Sequence, residues 1–224
     1  MKVGIIQSNF LPWRGYFDFI RSVDLFILHD DLQYTKGDWR NRNKIKTPRG
    51  PEWITVPVSY KHKGQLIQDT KIDHASPWLR KMLNRIKESY RIAPHFEPYF
   101  TELTGLLESP AANISELNIR LIRWICQHLQ IHTQMSMSSE YRPQGSKTER
   151  LIDILRKANA TVYLSGPAAK VYLNQDLFDA TGIRLEYKRY EYREYEQLYP
   201  PFEGAVSVID LLFMTGKDSR NYLG

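Results

Sequence analysis

The sequence predicts an α/β protein in which a parallel sheet is flanked by helices and a small β element is inserted. Three observations predict it. Short, wholly apolar runs occur near the N-terminus, each the length of one strand. Helix-like segments alternate with such runs at both ends of the chain. Between them lies a stretch whose partly alternating pattern and Pro, Gly and Lys turns suit short exposed strands.

The first strand is read over Val3–Ser8, where apolar residues are consecutive rather than alternating. That pattern fits a central strand covered on both faces. Asn9–Pro12 is a turn, and Pro12 suits a helix's first turn, where its missing N–H costs nothing. A helix is predicted from Trp13 to about Val23, and a second buried strand over Asp24–His29, ending in Asp30 and Asp31. Strand, helix and strand in about thirty residues make a βαβ unit. The inserted β element spans about residues 35–75, with strands expected around Trp39–Ile45, Trp53–Val58 and Leu66–Ile72.

Helices follow. One is predicted to start at Ser76-Pro77-Trp78, with Ser76 as cap, and to end near Tyr90. Others cover about 99–107 and 114–129, the latter capped by Asn113 or Ser115. A strand over 133–138, a helix over 147–158, strands over 161–165 and 183–190, and a C-terminal helix over 207–214 ending near Gly216 complete the reading. No repeat or linker interrupts it, so residues 1–224 are read as one domain.

Composition narrows the function. The chain is 42% hydrophobic and 25% charged, ordinary for a globular protein. No apolar run approaches the roughly 18 residues of a membrane span, and no signal peptide is recognised at the N-terminus. With one cysteine, Cys126, an intrachain disulfide is excluded. A cytoplasmic protein is expected. Cys126 lies on an amphipathic segment and reads as a buried, inert thiol. The net charge of +6 is spread along the chain, densest from Lys36 to Lys46. That distribution favours a local anion site over a nucleic-acid tail.

Parallel sheets bind ligands outside the carboxyl ends of their strands. This rule selects Gln7, Asn9, Trp13 and Tyr16 after the first strand. It selects Asp30, Asp31 and Gln33 after the second, with the segment Lys36, Trp39, Arg40, Asn41 and Arg42 beyond. After the 161–165 strand it selects Ser165, Gly166 and Lys170. The three sets are expected to converge on one cleft. Asp30, Asp31 and Asn9 are the catalytic candidates: the carboxylates can act as bases or orient a hydroxyl, and the Asn9 amide can orient polar groups. Adjacent strand residues point to opposite sides, so Asp30 and Asp31 are not expected to reach one ligand unless the chain bends. The Arg and Asn side chains offer planar, multi-donor recognition of phosphate or carboxylate. The other residues are read as substrate-binding. None of the six histidines has a zinc-ligand spacing. Mg²⁺ with a nucleotide-linked donor stays open, since Mg²⁺ needs only one or two carboxylates plus phosphates.

Four blocks carry a resemblance: Gln7–Asp18, Asp30–Tyr34 with Trp39–Asn43, Tyr163–Gly166 with Tyr172-Leu173, and Ser207–Phe213. In this order and over essentially the whole chain they resemble the WbqC-like family. The resemblance implies a transferase acting on an activated sugar or similar metabolite, as in surface polysaccharide biosynthesis. The layout of the first strand, turn and helix is also similar to Rossmann-like nucleotidylyltransferases. Those carry His-x-Gly-His where this chain has Trp13, Gly15 and Tyr16, so ordinary nucleotidyl transfer is not implied. Two alternatives stand beside the enzyme: an RNA or aminoacyl-tRNA binder, and a non-catalytic metabolite-binding scaffold. A homodimer is the default expectation on base rates.

Overall fold

A computed structural model describes residues 1–224. The main sheet has five strands: β1 (Lys2–Ile6), β2 (Leu25–Leu28), β5 (Gln134–Met137), β6 (Val162–Ser165) and β7 (Arg184–Tyr187). Their order across the sheet is β5-β2-β1-β6-β7, and every neighbouring pair is parallel. From β1 the chain builds outward to β2 and β5, then returns to add β6 and β7 on the other side. The order therefore reverses between β1 and β6, which is the Rossmann-like arrangement.

Both sheet faces are buried, as the unbroken apolar runs require. In β2, Phe26 and Leu28 belong to one core and Leu25 and Ile27 to the other. The first core packs helix α1 (Arg14–Arg21) and helices α2 (Trp78–Tyr90), α3 (Phe96–Glu108), α4 (Ile114–His128) and α7 (Val208–Thr215) against one face. The second packs α5 (Lys147–Lys157) and α6 (Gln175–Asp179) against the other, through Ile152, Ile154, Leu155 and Phe178. Each such buried side chain contributes about 1.5–3 kcal/mol through area removed from water. Gly4 sets how closely α1 lies on β1: a Cβ there would sit 2.4 Å from the Phe19 ring.

The inserted β element is an antiparallel hairpin of β3 (Arg42–Thr47) and β4 (Gly50–Thr55). The third expected strand, around Leu66–Ile72, is instead a 3₁₀ turn over Ile67–Asp69 flanked by isolated bridges from Gln33 to Leu66 and Val58 to Ile72. Its buried Thr70 and Gln65 bond each other and nearby carbonyls rather than a ladder.

Three helix starts move. α1 begins at Arg14, not Trp13, because Trp13 stays extended and bridges to Ser207. α2 begins at Trp78 with Pro77, not Ser76, at the cap, and no side chain satisfies its first N–H groups. α3 starts at Phe96, three residues early. Asn113 caps α4 by accepting from the Glu116 N–H at 2.9 Å, which frees Ser115 for another bond. The C-terminal helix is capped by the Ser207 side chain and ends at Gly216, whose φ is +56°. Cys126 is buried in α4, and burial pushes its thiol up to about 12, which leaves it inert at neutral pH.

Candidate functional site

Outside the carboxyl ends of β1 and β6, where the strand order reverses, a cleft of about 590 Å³ opens. This is the position at which parallel sheets take ligands. Gln7 enters it from the end of β1 and His29 from the end of β2. Tyr163 of β6 and Tyr172 line it, and Lys147 and Arg150 come from the first turns of α5. Ile5, Ile6, Leu32, Leu151 and Leu173 make the rest apolar. The volume lies within the range of small-molecule sites.

Asp31 ties three segments of this cleft together. One carboxylate oxygen accepts from the Ser138 hydroxyl just beyond β5. The other accepts from Arg150 Nη2 at 2.5 Å. Arg150 also donates to the Pro143 carbonyl at 3.1 Å, and its buried Nε has no partner. His29 is 6% exposed, and its Nε2 also has no hydrogen-bond partner. Burial lowers its pKa to about 4; Asp31 opposes that shift and Arg150 adds to it. The imidazole is therefore neutral at pH 7. Lys147, the first residue of α5, has φ of +49°. A non-glycine residue held there costs about 1–2 kcal/mol, and such strain clusters at functional sites.

A second cavity, of about 260 Å³, is lined by Asn9, Pro12, Trp13, Trp39, Asn43 and Ala205. It shares no lining residue with the first. The two cavities therefore divide the residues expected to meet in one cleft. Gln7 goes to the first, and Asp31 is joined to it through Arg150. Asn9, Trp13 and Trp39 go to the second.

The remaining candidates line neither. Asp30 is fully buried: it accepts from the Ser8 N–H at 2.7 Å and from the Ser115 hydroxyl, so it anchors the segment after β1 to α4. Its carboxylate and that of Asp31 have separate partners, as expected of adjacent residues. Tyr16 is buried and donates to the Gln7 carbonyl at 3.0 Å. Asn41 is buried between the Tyr34 hydroxyl and the Val56 carbonyl. Arg40 donates to the Asn9 side chain, and Arg42 donates to the Gly37 carbonyl and covers the Trp53 ring at 4.2 Å. Gln33 and Lys36 are exposed. Ser165 is buried at the end of β6, Gly166 caps the 3₁₀ turn that follows, and exposed Lys170 lies 5.1 Å over the Tyr187 ring.

Sequence reasoning passed over His29, Lys147, Arg150, Tyr163 and Tyr172. The strand-end rule held the signal for two of the segments. His29 is the residue after β2, and Lys147 and Arg150 open the helix after β5. No three His, Cys, Asp or Glu side chains converge anywhere in the chain. A Mg²⁺ ion here would draw most of its ligands from substrate phosphate and water.

The model of the WbqC-like protein family matches residues 7–222. The chain belongs to the WbqC-like protein family. It is also similar to the uncharacterized protein Rv1507c of Mycobacterium tuberculosis (strain ATCC 25618 / H37Rv). The two are 46% identical over 225 residues, covering 99% of this chain and 97% of that protein. No solved structure matches. The family match spans every lining residue of the second cavity and all but Ile5 and Ile6 of the first. No helix of this WbqC-like protein is long and apolar enough to cross a membrane.

Proposed function

We propose that this WbqC-like protein is a small-molecule biosynthetic enzyme, a transferase that takes a phosphate-bearing activated metabolite, such as a nucleotide-linked sugar, in the cleft outside β1 and β6. One observation carries the reading. Lys147 and Arg150, at the start of one helix, face Gln7 and His29 in a cleft that is otherwise aromatic and aliphatic. Two cations at a helix start suit an anionic group, because the helix dipole and free N–H groups add to their charge. Tyr163, Tyr172 and the aliphatic residues suit the uncharged part of such a metabolite.

In this reading His29 is the proton acceptor and Asp31 stabilises the imidazolium that forms. The transferred group leaves its phosphate-bearing carrier for an acceptor nucleophile, whose proton passes to His29. Free of ligand, His29 is a weak base. Burial, with the Arg150 charge added to it, lowers its pKa; an anion held at Lys147 and Arg150 offsets that charge, so its basicity rises when the substrate is bound. Asp30 and Tyr16 position the Gln7–Asn9 segment.

Calorimetric titration with nucleotides, nucleotide-sugars and CoA esters, with and without Mg²⁺, tests the reading. Binding that weakens at least tenfold in Arg150→Ala, together with product formation that is lost in His29→Gln, is expected. Binding without turnover of any acceptor would make the protein a metabolite-binding scaffold instead. If no anionic metabolite binds, the reading fails.

One surface feature favours a second reading, RNA or aminoacyl-tRNA binding. Trp39 and Trp53 are 41% and 37% exposed, their rings 5.2 Å apart, with Arg42 and Lys44 over Trp53. Aromatic faces beside cations suit stacked bases and phosphates. Affinity for tRNA that falls steeply with salt supports it. Absence of binding at low salt removes it.

A further inference from the structure

We infer that the cavity between Trp13 and Trp39 is a second ligand site, one that takes an uncharged ring bearing oxygen acceptors, a sugar ring above all. The inference does not rest on the transferase reading, since this cavity and the anion cleft have no lining residue in common.

The chemistry of the walls sets the ligand class. None of Asn9, Pro12, Trp13, Trp39, Asn43 and Ala205 carries a charge. The other cleft has Lys147, Arg150 and His29. A charged ligand in the second cavity would lose hydration with no counter-charge lining it. The polar groups left over are donors. The Asn9 side-chain oxygen is taken by Arg40, which leaves its amide nitrogen without a partner in the chain. The indole N–H groups of Trp13 and Trp39 likewise donate to nothing within the chain. Asn43 contributes none, because its amide donates to the Leu11 carbonyl at 2.7 Å and the Phe10 carbonyl at 3.3 Å, and its oxygen accepts from the Lys44 N–H. Unpaired donors between indole rings suit hydroxyl and carbonyl oxygens on a ring whose faces are apolar. At 260 Å³ the cavity is just below the usual range for drug-sized ligands and fits one ring rather than a nucleotide.

The cavity is built, not left over. Asn43 holds the Phe10 and Leu11 carbonyls, and Leu11 is fixed in the left-handed region at φ +41°. The Trp13 indole folds over Gly15 so closely that a Cβ there would lie 2.3 Å from it. Tyr190 and Tyr192 meet the Trp13 ring edge-on at 5.2 and 5.9 Å. The Phe10 N–H donates to the Trp39 carbonyl, and the Val208 N–H to the Pro12 carbonyl, so three distant segments lock the walls. Strain and this degree of fixing are characteristic of preorganised sites.

The chain has five tryptophans, Trp13, Trp39, Trp53, Trp78 and Trp124, so its indole N–H resonances form a small, assignable set. We would titrate the full-length protein with methyl glucopyranoside and N-acetylglucosamine, and separately with inorganic phosphate, following these resonances by ¹⁵N NMR. Trp13→Phe and Trp39→Phe spectra supply the assignments. The expected result is a saturable shift of the Trp13 and Trp39 resonances with an uncharged sugar, with Trp78 and Trp124 unmoved. The shift persists in Arg150→Ala, which removes a cation from the anion cleft, and weakens at least tenfold in Asn9→Ala. Because Trp39 is half-exposed, Trp39→Ala keeps the fold and provides a second variant in which the Trp13 shift is lost. No saturable shift with either sugar overturns the inference. So does a response in which phosphate moves the same two resonances as strongly.

Discussion

His29 Nε2 lies 3.6 Å from Asp31 Oδ1, outside hydrogen-bonding distance, while Arg150 grips the opposite oxygen of the same carboxylate. The imidazole is thus buried beside an acid that is already committed to a cation. Burial makes it neutral, and the acid, so committed, does not restore the charge; its pH behaviour follows from both.

The folded pKa of His29, about 4, is below the ordinary 6.5. The unfolded chain therefore binds this proton more readily than the folded one. The stability associated with neutral His29 is fully present above about pH 6.5 and is lost as pH falls from there through 4. The shift corresponds to about 3 kcal/mol. Urea unfolding at pH 7 and pH 4.5 should show a larger drop for the wild type than for His29→Gln. Parallel drops would refute the assignment.

The two neighbours act on His29 in opposite directions. Arg150→Met removes the cation that lowers its pKa and leaves the acid that raises it. Titration of the ring carbon protons by NMR should show His29 moving up toward 6.5 in Arg150→Met and further down in Asp31→Asn. Movement in the same direction in both variants would contradict the geometry.

Asp30 is a structural anchor in this fold. Replacing it with Ala strands the Ser8 N–H and the Ser115 hydroxyl in a buried place. A loss of about 3 kcal/mol in unfolding free energy is expected, of the order found for bonds to buried charges. Ser115→Ala should lose less, about 1 kcal/mol, because Ser8 still holds Asp30. An Asp30→Ala protein as stable as the wild type would show that the anchor carries no weight.

Gly15→Ala should destabilise the protein by about 1–3 kcal/mol, because the added methyl meets the Trp13 indole. The cost should shrink in the Trp13→Ala background, so the two changes are less than additive. Thermal unfolding of the single and double variants measures this. Full additivity would mean that the two residues do not meet.

Much of the fold was legible along the chain. Val3–Ile6 and Leu25–Leu28 could be seen as doubly covered strands because both of their faces must be apolar. Asn113 as one of two candidate caps for α4, and Gly216 as the end of α7, followed from local backbone chemistry; the structure chose Asn113 over Ser115. The strand at Leu66–Ile72 was misread because apolar residues at that spacing suit a 3₁₀ turn as well as a strand, and the choice was made by Thr70 and Gln65 bonding locally. The site was legible only in pieces. Of the candidate cleft, Gln7 and Asp31 lie at the ends of the first two strands, where the strand-end rule looks, while Asn9 goes to the other cavity. Lys147 and Arg150 could not be joined to them, since more than a hundred residues intervene.

By itself the sequence determined most of the strands and helices, though not the 3₁₀ turn at Ile67–Asp69 or the short α6, since periodicity, caps and turn residues act over a few neighbours. It also determined the family. Only the tertiary structure decided that β6 lies beside β1 and β5 beside β2, which brings α5 to His29 and opens the cleft at the reversal. Only the tertiary structure turned Asp30 inward to Ser8 and Ser115 and left Asp31 to Arg150. The physical reason is the same in each case. Strand order, and the partner each side chain finds, are fixed by burying both faces of the sheet at once, a condition on the whole chain that no short stretch of it contains.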